Sequence, residues 1–104
     1  FTAAGFEVLN VDGDPIASKS GNQGINDQDP ERIVEFAASV CDPNADVLFC
    51  SCTAWRSMEA ADRLEQKVGK PVVASNQATI WKTLKTLGLK VSSRGYGQLL
   101  DQLA

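Results

Sequence analysis

Hydrophobic and polar positions follow two rhythms along the chain. Phe6-Glu7-Val8-Leu9-Asn10-Val11 is an apolar-rich run that predicts a strand. It opens into a polar stretch from Asp12 to Gln28, predicted as a long loop that holds Gly13, Gly21 and Gly24. Asp29-Pro30-Glu31 then carries an acid suited to the N-cap, proline at the first helical position and a second acid in the first turn. The helix that follows places Ile33, Phe36, Ala37 and Val40 on one face and ends before Asp42-Pro43-Asn44. Val47-Leu48-Phe49-Cys50 is a continuous apolar run, the pattern of a parallel strand covered on both faces. Met58, Ala61, Leu64 and Val68 recur at helical spacing until Gly69 stops the helix. Pro71-Val72-Val73-Ala74 repeats the buried-strand pattern, and Ser75 or Asn76 is expected to cap a helix carrying Ile80, Trp81, Leu84 and Leu87 that closes at Gly88. A last short helix from Gly97 to Leu103 uses Leu99, Leu100 and Leu103. The order βαβαβα predicts right-handed crossovers and an α/β fold, a three-layer sandwich with a parallel central sheet.

Composition narrows what such a fold can do. A chain of 104 residues with 43% hydrophobic content makes one domain, residues 1–104, with a core that needs neither disulfide nor metal. No apolar run approaches the roughly 18 residues of a membrane span, so no membrane partner is expected. No basic-then-apolar run that would mark a signal peptide occurs within these residues, although a start upstream of Phe1 could hold one. The chain opens on Phe1 rather than Met, and it is expected to be part of a longer protein. Histidine is absent, which excludes Ser-His-Asp and Cys-His catalysis within these residues and zinc sites that need imidazole. Residues 1–52 hold nine acids against two bases, and residues 53–104 four acids against eight bases. That polarity either places an anionic ligand near the second half or is a solvated surface. The basic residues are scattered without aromatic interleaving, which argues against nucleic acid.

Three cysteines, Cys41, Cys50 and Cys52, are an odd count for a secreted framework and fit a reducing compartment, so the expected location is cytoplasmic. Only Ser51 separates Cys50 from Cys52, which rules out a CxxC redox motif. On an extended strand the two would share one face. A metal clip would need more ligands than the neighbourhood supplies, and no metal is expected.

In an open parallel sheet, ligands bind beyond the carboxyl ends of the strands. Two polar clusters fall there, Ser51-Cys52-Thr53 and Ser75-Asn76-Gln77, and both precede predicted helices. Backbone N–H groups at a helix start attract anions and stabilise a thiolate, which makes Cys52 the candidate reactive thiol. The alternative is an inert buried cysteine, the reading preferred for Cys50 and Cys41. Ser51 and Thr53 add hydroxyls able to donate to a carboxylate. Trp55 either borders a ligand or covers the sheet edge, whereas Trp81, beside Ile80 and Leu84, reads as core. Arg56 can pair with a substrate carboxylate or with a protein acid. Gly95-Tyr96-Gly97 lacks the third glycine and the strand-turn-helix setting of a phosphate loop.

Four segments carry a family likeness: Ala45 to Arg56 (ADVLFCSCTAWR), Leu64-Glu65, Gly69-Lys70-Pro71-Val72-Val73, and Ser75-Asn76-Gln77-Ala78 with Trp81. At this spacing the chain resembles the C-terminal half of the aspartate/glutamate racemase superfamily. Within it, the chain is similar to the maleate cis-trans isomerase branch and its arylmalonate decarboxylase and ectoine-utilisation relatives. The resemblance implies a cofactor-free enzyme of two similar α/β lobes, with the active site between them and one cysteine from each. One thiolate acts as base or nucleophile and the other thiol as acid across a small carboxylate substrate. On this likeness Cys52 is the second-lobe cysteine, and Ser51, Thr53 and Asn76 bind the substrate. The partner cysteine lies upstream of Phe1, and residues from about 88 to 104 pack on the first lobe, with Leu99, Leu100 and Leu103 as the contact. A homo-oligomer of the full-length protein is expected. The likeness also implies a polar side chain from the loop Asn10 to Asp14, where an acid such as Asp14 would repel a dicarboxylate.

Decarboxylation is the main alternative within the enzyme class, since it needs one protonating cysteine and an apolar pocket. A flavodoxin-like or receiver-like binding module would also explain the βα alternation. It lacks support from any phosphate-binding loop or clustered acids.

Overall fold

A computed structural model describes residues 1–15, 25, 27–92 and 95–103. Most of the predicted loop between Asp12 and Gln28, including Gly21 and Gly24, lies outside the described residues. The elements are α1 (Pro30–Val40), β1 (Leu48–Cys50), α2 (Ser57–Val68), β2 (Val72–Ala74), α3 (Ser75–Thr86) and a short α4 (Gln98–Asp101), after a 3-10 turn at Thr2–Ala4. No helix among the described residues is long and apolar enough to cross a membrane.

Helix α1 starts as its sequence dictates. Asp29 Oδ1 accepts the Glu31 N–H at 2.9 Å, satisfying one of the free donors of the first turn, and Pro30 follows where no donor is needed. Such a cap contributes about 1 kcal/mol. The buried stripe is Ile33, Val34 and Ala37, rotated slightly from the predicted one, so that Phe36 and Val40 are half-buried at its rim. Helix α2 buries Ala60, Ala61 and Leu64, and its two alanines let α1 approach closely. An Arg63–Glu31 ion pair links the two helices. Gly69 ends α2 with φ 72°, a left-handed cap that only glycine adopts without cost, and its N–H donates to Glu65 O at 2.9 Å.

The strands β1 and β2 pair in parallel, with Leu48 opposite Val72, Phe49 opposite Val73 and Cys50 opposite Ala74. The loops feeding them are tied together ahead of the ladder, since Lys70 Nζ donates to the carbonyls of Asp42 and Pro43 at 3.1 and 3.3 Å. Strand alternation puts Leu48, Cys50, Val72 and Ala74 on one face. That face meets α1 and α2 in a core of Ile33, Val34, Ala37, Ala60, Ala61 and Leu64. The architecture is therefore α/β with a parallel sheet, here of two strands.

Several expectations change. Residues 6–11 form no strand, because backbone N–H and C=O groups enter a sheet only when a neighbour supplies a ladder, and the ladder described joins β1 to β2 alone. Phe6, Val8, Leu9 and Val11 are exposed, and Asn10 Nδ2 instead hooks the segment to the end of α1 through Val40 O at 2.8 Å. Coverage of β1 on both faces is also incomplete. Phe49 stays 40% exposed, with the Phe1 ring against it at a centroid distance of 4.9 Å. The N-cap of α3 is Ala74, whose N–H donates to Gln77 Oε1 at 3.0 Å, the N3 half of a capping box, and neither Ser75 nor Asn76 is the cap. Trp81 is not core. The only buried residue of α3 is Gln77, Ile80 and Leu87 are exposed, and Lys85 Nζ sits 4.6 Å from the half-buried Trp81 ring, where a cation meets the negative face of the indole. By contrast, Leu100 and Leu103 are buried within this chain, and Leu99 is half-buried.

Leu64 is fully buried where α1, α2 and the sheet meet. Leu64→Ala is expected to destabilise the protein by about 2–5 kcal/mol, as lost transfer energy and a residual cavity add. A urea titration followed by circular dichroism reads this as a lower midpoint at unchanged slope.

Candidate active site

The parallel register brings the ends of β1 and β2 side by side, so that residues 51–53 and 75–76 leave the sheet together. Two hydrogen bonds join them. Ser75 Oγ accepts the Cys52 N–H at 3.1 Å, and Asn76 Nδ2 donates to Thr53 O at 2.9 Å. Ser51, Cys52, Thr53 and Asn76 are thus gathered at one place in the fold, as the two polar clusters implied. Ser51 and Thr53 are exposed, while Cys52 and Asn76 are half-buried.

Cys52 does not continue the strand, so it shares no strand face with Cys50. Its φ of 133° is the only positive value at a non-glycine residue among those described, a conformation costing on the order of 1–3 kcal/mol. Its carbonyl accepts the Trp55 N–H at 3.3 Å, which closes a turn before α2 begins at Ser57. Cys52 therefore precedes α2 by a full turn of chain and is not at its first helical position. Cys50, in contrast, is buried in the core, and its thiol is pushed up to about 12 by burial and, secondarily, by neighbouring Cys41. That is the behaviour of a packing residue.

A cleft of about 340 Å³ opens beside the strand ends, with Thr53, Trp55, Arg56, Glu59, Asn76 and Tyr96 in its wall. Cys52 is not among its lining residues. Trp55 faces two neighbourhoods. It lines the cleft, and it also packs on the core, where its ring lies 6.3 Å from that of Phe36 and its Nε1 donates to buried Gln28 Oε1 at 3.1 Å. Arg56 makes a two-pronged pair with Glu59, at 2.9 and 2.7 Å. That bond raises the Arg56 guanidinium and holds the Glu59 carboxyl below its usual range. Because the pair is exposed, it is weak enough to exchange for a ligand carboxylate. Asp14, the acid named in the loop after residues 6–11, is buried, and its Oδ1 lies 3.1 Å from Arg32 Nη2.

Behind the strand ends lies a buried polar bracket of Glu65 and Gln77, for which no buried structural role was expected from sequence. Glu65 accepts the Val72 N–H and the Gln98 N–H, each at 2.9 Å. Gln77, fully buried, accepts from Ala74 N and donates through Nε2 to Tyr96 O. Gly97 fits because it has no side chain: at φ 94° an added Cβ would lie 2.6 Å from Gln77 Nε2. A signal for Glu65 was available, since it shares the apolar stripe of Ala61, Leu64 and Val68. An acid on such a stripe must find donors inside.

Parallel strand ends carry paired polar loops here, one of them bearing a cysteine, and by comparison with known proteins this α/β lobe belongs to the aspartate/glutamate racemase-like superfamily. The family model described as arylmalonate decarboxylase matches residues 1–100, and the chain belongs to that family. It is 32% identical over 102 residues to a maleate isomerase of Geobacillus stearothermophilus, covering 96% of this chain and 39% of that protein. It is 33% identical over 61 residues to an arylmalonate decarboxylase of Bordetella bronchiseptica, covering 58% of this chain and 25% of that protein. The crystal structure of the maleate isomerase Iso from Pseudomonas putida S16 superposes with a TM-score of 0.71 at 28% identity, over 80% of this chain and 34% of that one. The chain thus spans well under half the length of these relatives.

In native protein at pH 8, iodoacetamide is expected to label Cys41 and Cys52, both partly accessible, and to spare Cys50, as read by peptide mass spectrometry. The sign of the linked stability follows from the raised Cys50 thiol. The unfolded chain loses this proton above about pH 9.0 and the folded one only near 12, so stability contributed by Cys50 falls as pH rises through that window. The slope, about 1.4 kcal/mol per pH unit, should be missing from Cys50→Ala in urea titrations between pH 8 and 10.5.

Proposed function

We propose that the full-length protein is a cofactor-independent isomerase acting on a small carboxylate in the manner of maleate cis-trans isomerase, with Cys52 as one of two catalytic thiols. The observation that carries this reading is the placement of Cys52. It is a half-buried thiol at the end of a parallel strand, held in an uncommon backbone conformation and flanked by the Ser51 and Thr53 hydroxyls. The identity to two proteins named maleate isomerase supports the same reading. The second thiol comes from the rest of the protein.

The chemistry balances without any external electron donor or acceptor. A thiolate adds to one alkene carbon and forms a C–S bond, and the π electrons move to the neighbouring carbon, where the carboxylate stabilises them and a proton from the second thiol quenches them. The former double bond is now single and rotates. Removal of the same proton and expulsion of the thiolate restore the alkene in the trans form. In this scheme Ser51 and Thr53 hold a substrate carboxylate through their hydroxyls. Asn76 contributes the Nδ2 hydrogen that Thr53 O does not take, and Arg56 offers its guanidinium when it parts from Glu59.

A second reading is favoured by the aromatic walls of the cleft, Trp55 and Tyr96. They suit an aryl-bearing malonate, whose decarboxylation would leave an enediolate for Cys52 to protonate. Supplying maleate and phenylmalonate separately to the full-length protein distinguishes the two, through fumarate absorbance in one case and phenylacetate with carbon dioxide in the other. In either case Cys52→Ser is expected to lower turnover at least about 100-fold with an unchanged circular dichroism spectrum. Turnover within twofold of the parent would remove Cys52 from the mechanism.

A further inference from the structure

We propose that Ser75 is the positioning residue for Cys52: by accepting its backbone N–H, Ser75 holds Cys52 in the left-handed conformation that aims the thiol. The inference rests on the assignment of Cys52 as the reacting group and deepens it.

A non-glycine residue with positive φ persists only where its surroundings over-determine it. Around Cys52 the constraints can be named. The Cys52 N–H donates to Ser75 Oγ at 3.1 Å, its carbonyl accepts the Trp55 N–H at 3.3 Å, and Thr53 O accepts Asn76 Nδ2 at 2.9 Å. Two of these three partners are the first two residues of α3. The start of α3 is itself immobilised, because fully buried Gln77 bonds backward to Ala74 N and across to Tyr96 O. The Cys50–Ala74 register sets how far Ser75 stands from Cys52, so the hydroxyl reaches the peptide N–H without moving either strand.

Of the three bonds, the one from Ser75 controls the φ rotation most directly, since it fixes the N–H whose plane φ turns against Cα. Without it, Cys52 can relax toward negative φ. Rotation about N–Cα carries Cβ and Sγ with it, while Thr53 and Asn76, joined by their own bond, keep their places. Ser75 touches no reacting atom in this account. It sets the direction of one, and misplacement of a reacting group by about 1 Å costs on the order of 100-fold in rate.

The test uses the full-length protein and the variants Ser75→Ala and Ser75→Thr, with kcat and KM measured on maleate. The alkylation rate of Cys52 by iodoacetamide is read in the same samples by peptide mass spectrometry, with Cys41 as internal reference. Ser75→Ala is expected to lower kcat at least about 10-fold with KM within about threefold. It should also shift the Cys52:Cys41 alkylation ratio at least threefold. Ser75→Thr, which keeps the Oγ, should recover most of both. A purely structural role would not give a kcat-selective loss rescued by a hydroxyl. The proposal is overturned by kcat within twofold of the parent in Ser75→Ala, by an unchanged alkylation ratio, or by a Thr variant as impaired as the Ala variant. If Cys52→Ser retains turnover, the functional assignment falls on its own, and the alkylation ratio still decides whether Ser75 orients Cys52.

Discussion

The parallel pairing of β1 with β2, in the register that sets Cys50 opposite Ala74, is the constraint on which the rest of this chain depends. Two three-residue strands supply few ladder bonds, so the pairing must be held from outside. It is held where the strands begin. Lys70 ties the incoming loops together ahead of the strands, and Glu65 takes the Val72 N–H while also accepting from Gln98 at the foot of α4. The apolar face formed by Leu48, Cys50, Val72 and Ala74 is then buried on α1 and α2. Hydrophobic burial drives this contact without direction, and the hydrogen bonds of Glu65 and Gln77 give it a register.

Polar order behind the site and strain within it belong together. Gln77 is fully buried and uses both ends of its amide, and this rigid corner lets the neighbouring Ser75 and Asn76 face the Cys52 loop as fixed partners. Cys52 can therefore be kept at φ 133°, where an unsupported residue would relax. Charge is arranged with similar economy. Asp14 is compensated by Arg32 and Glu59 by Arg56, and the Ser51 and Thr53 hydroxyls beside the cysteine are exposed.

Elements whose signals are local were legible in advance. The Asp29-Pro30-Glu31 start and the Gly69 stop act within one helical turn, and helices α1 and α2 form where those residues stand. The apolar runs at 47–50 and 71–74 became strands because both have an α-helical layer to bury against. The run at 6–11 has similar composition and no ladder, and it remains an exposed segment hooked by Asn10 to the end of α1. The stripe on α3 was read as core for the same reason and failed for the same reason. An apolar pattern states a capacity for burial, and a facing surface has to exist before that capacity is used.

The sequence by itself determined the α/β class, the caps and stops of α1 and α2, the absence of imidazole from these residues and the nomination of Cys52, Ser51, Thr53 and Asn76, because each is written in neighbouring residues or in composition. Only the tertiary structure decided that Cys52 leaves the strand in a strained, half-buried conformation. It alone placed Gln77 in the capping box of α3, closed Arg56 on Glu59 and joined Ser75 to the Cys52 backbone. These contacts span from three to more than twenty residues of chain. Ser75 and Cys52 meet because the β1–β2 register brings distant segments together, and no local pattern encodes that distance.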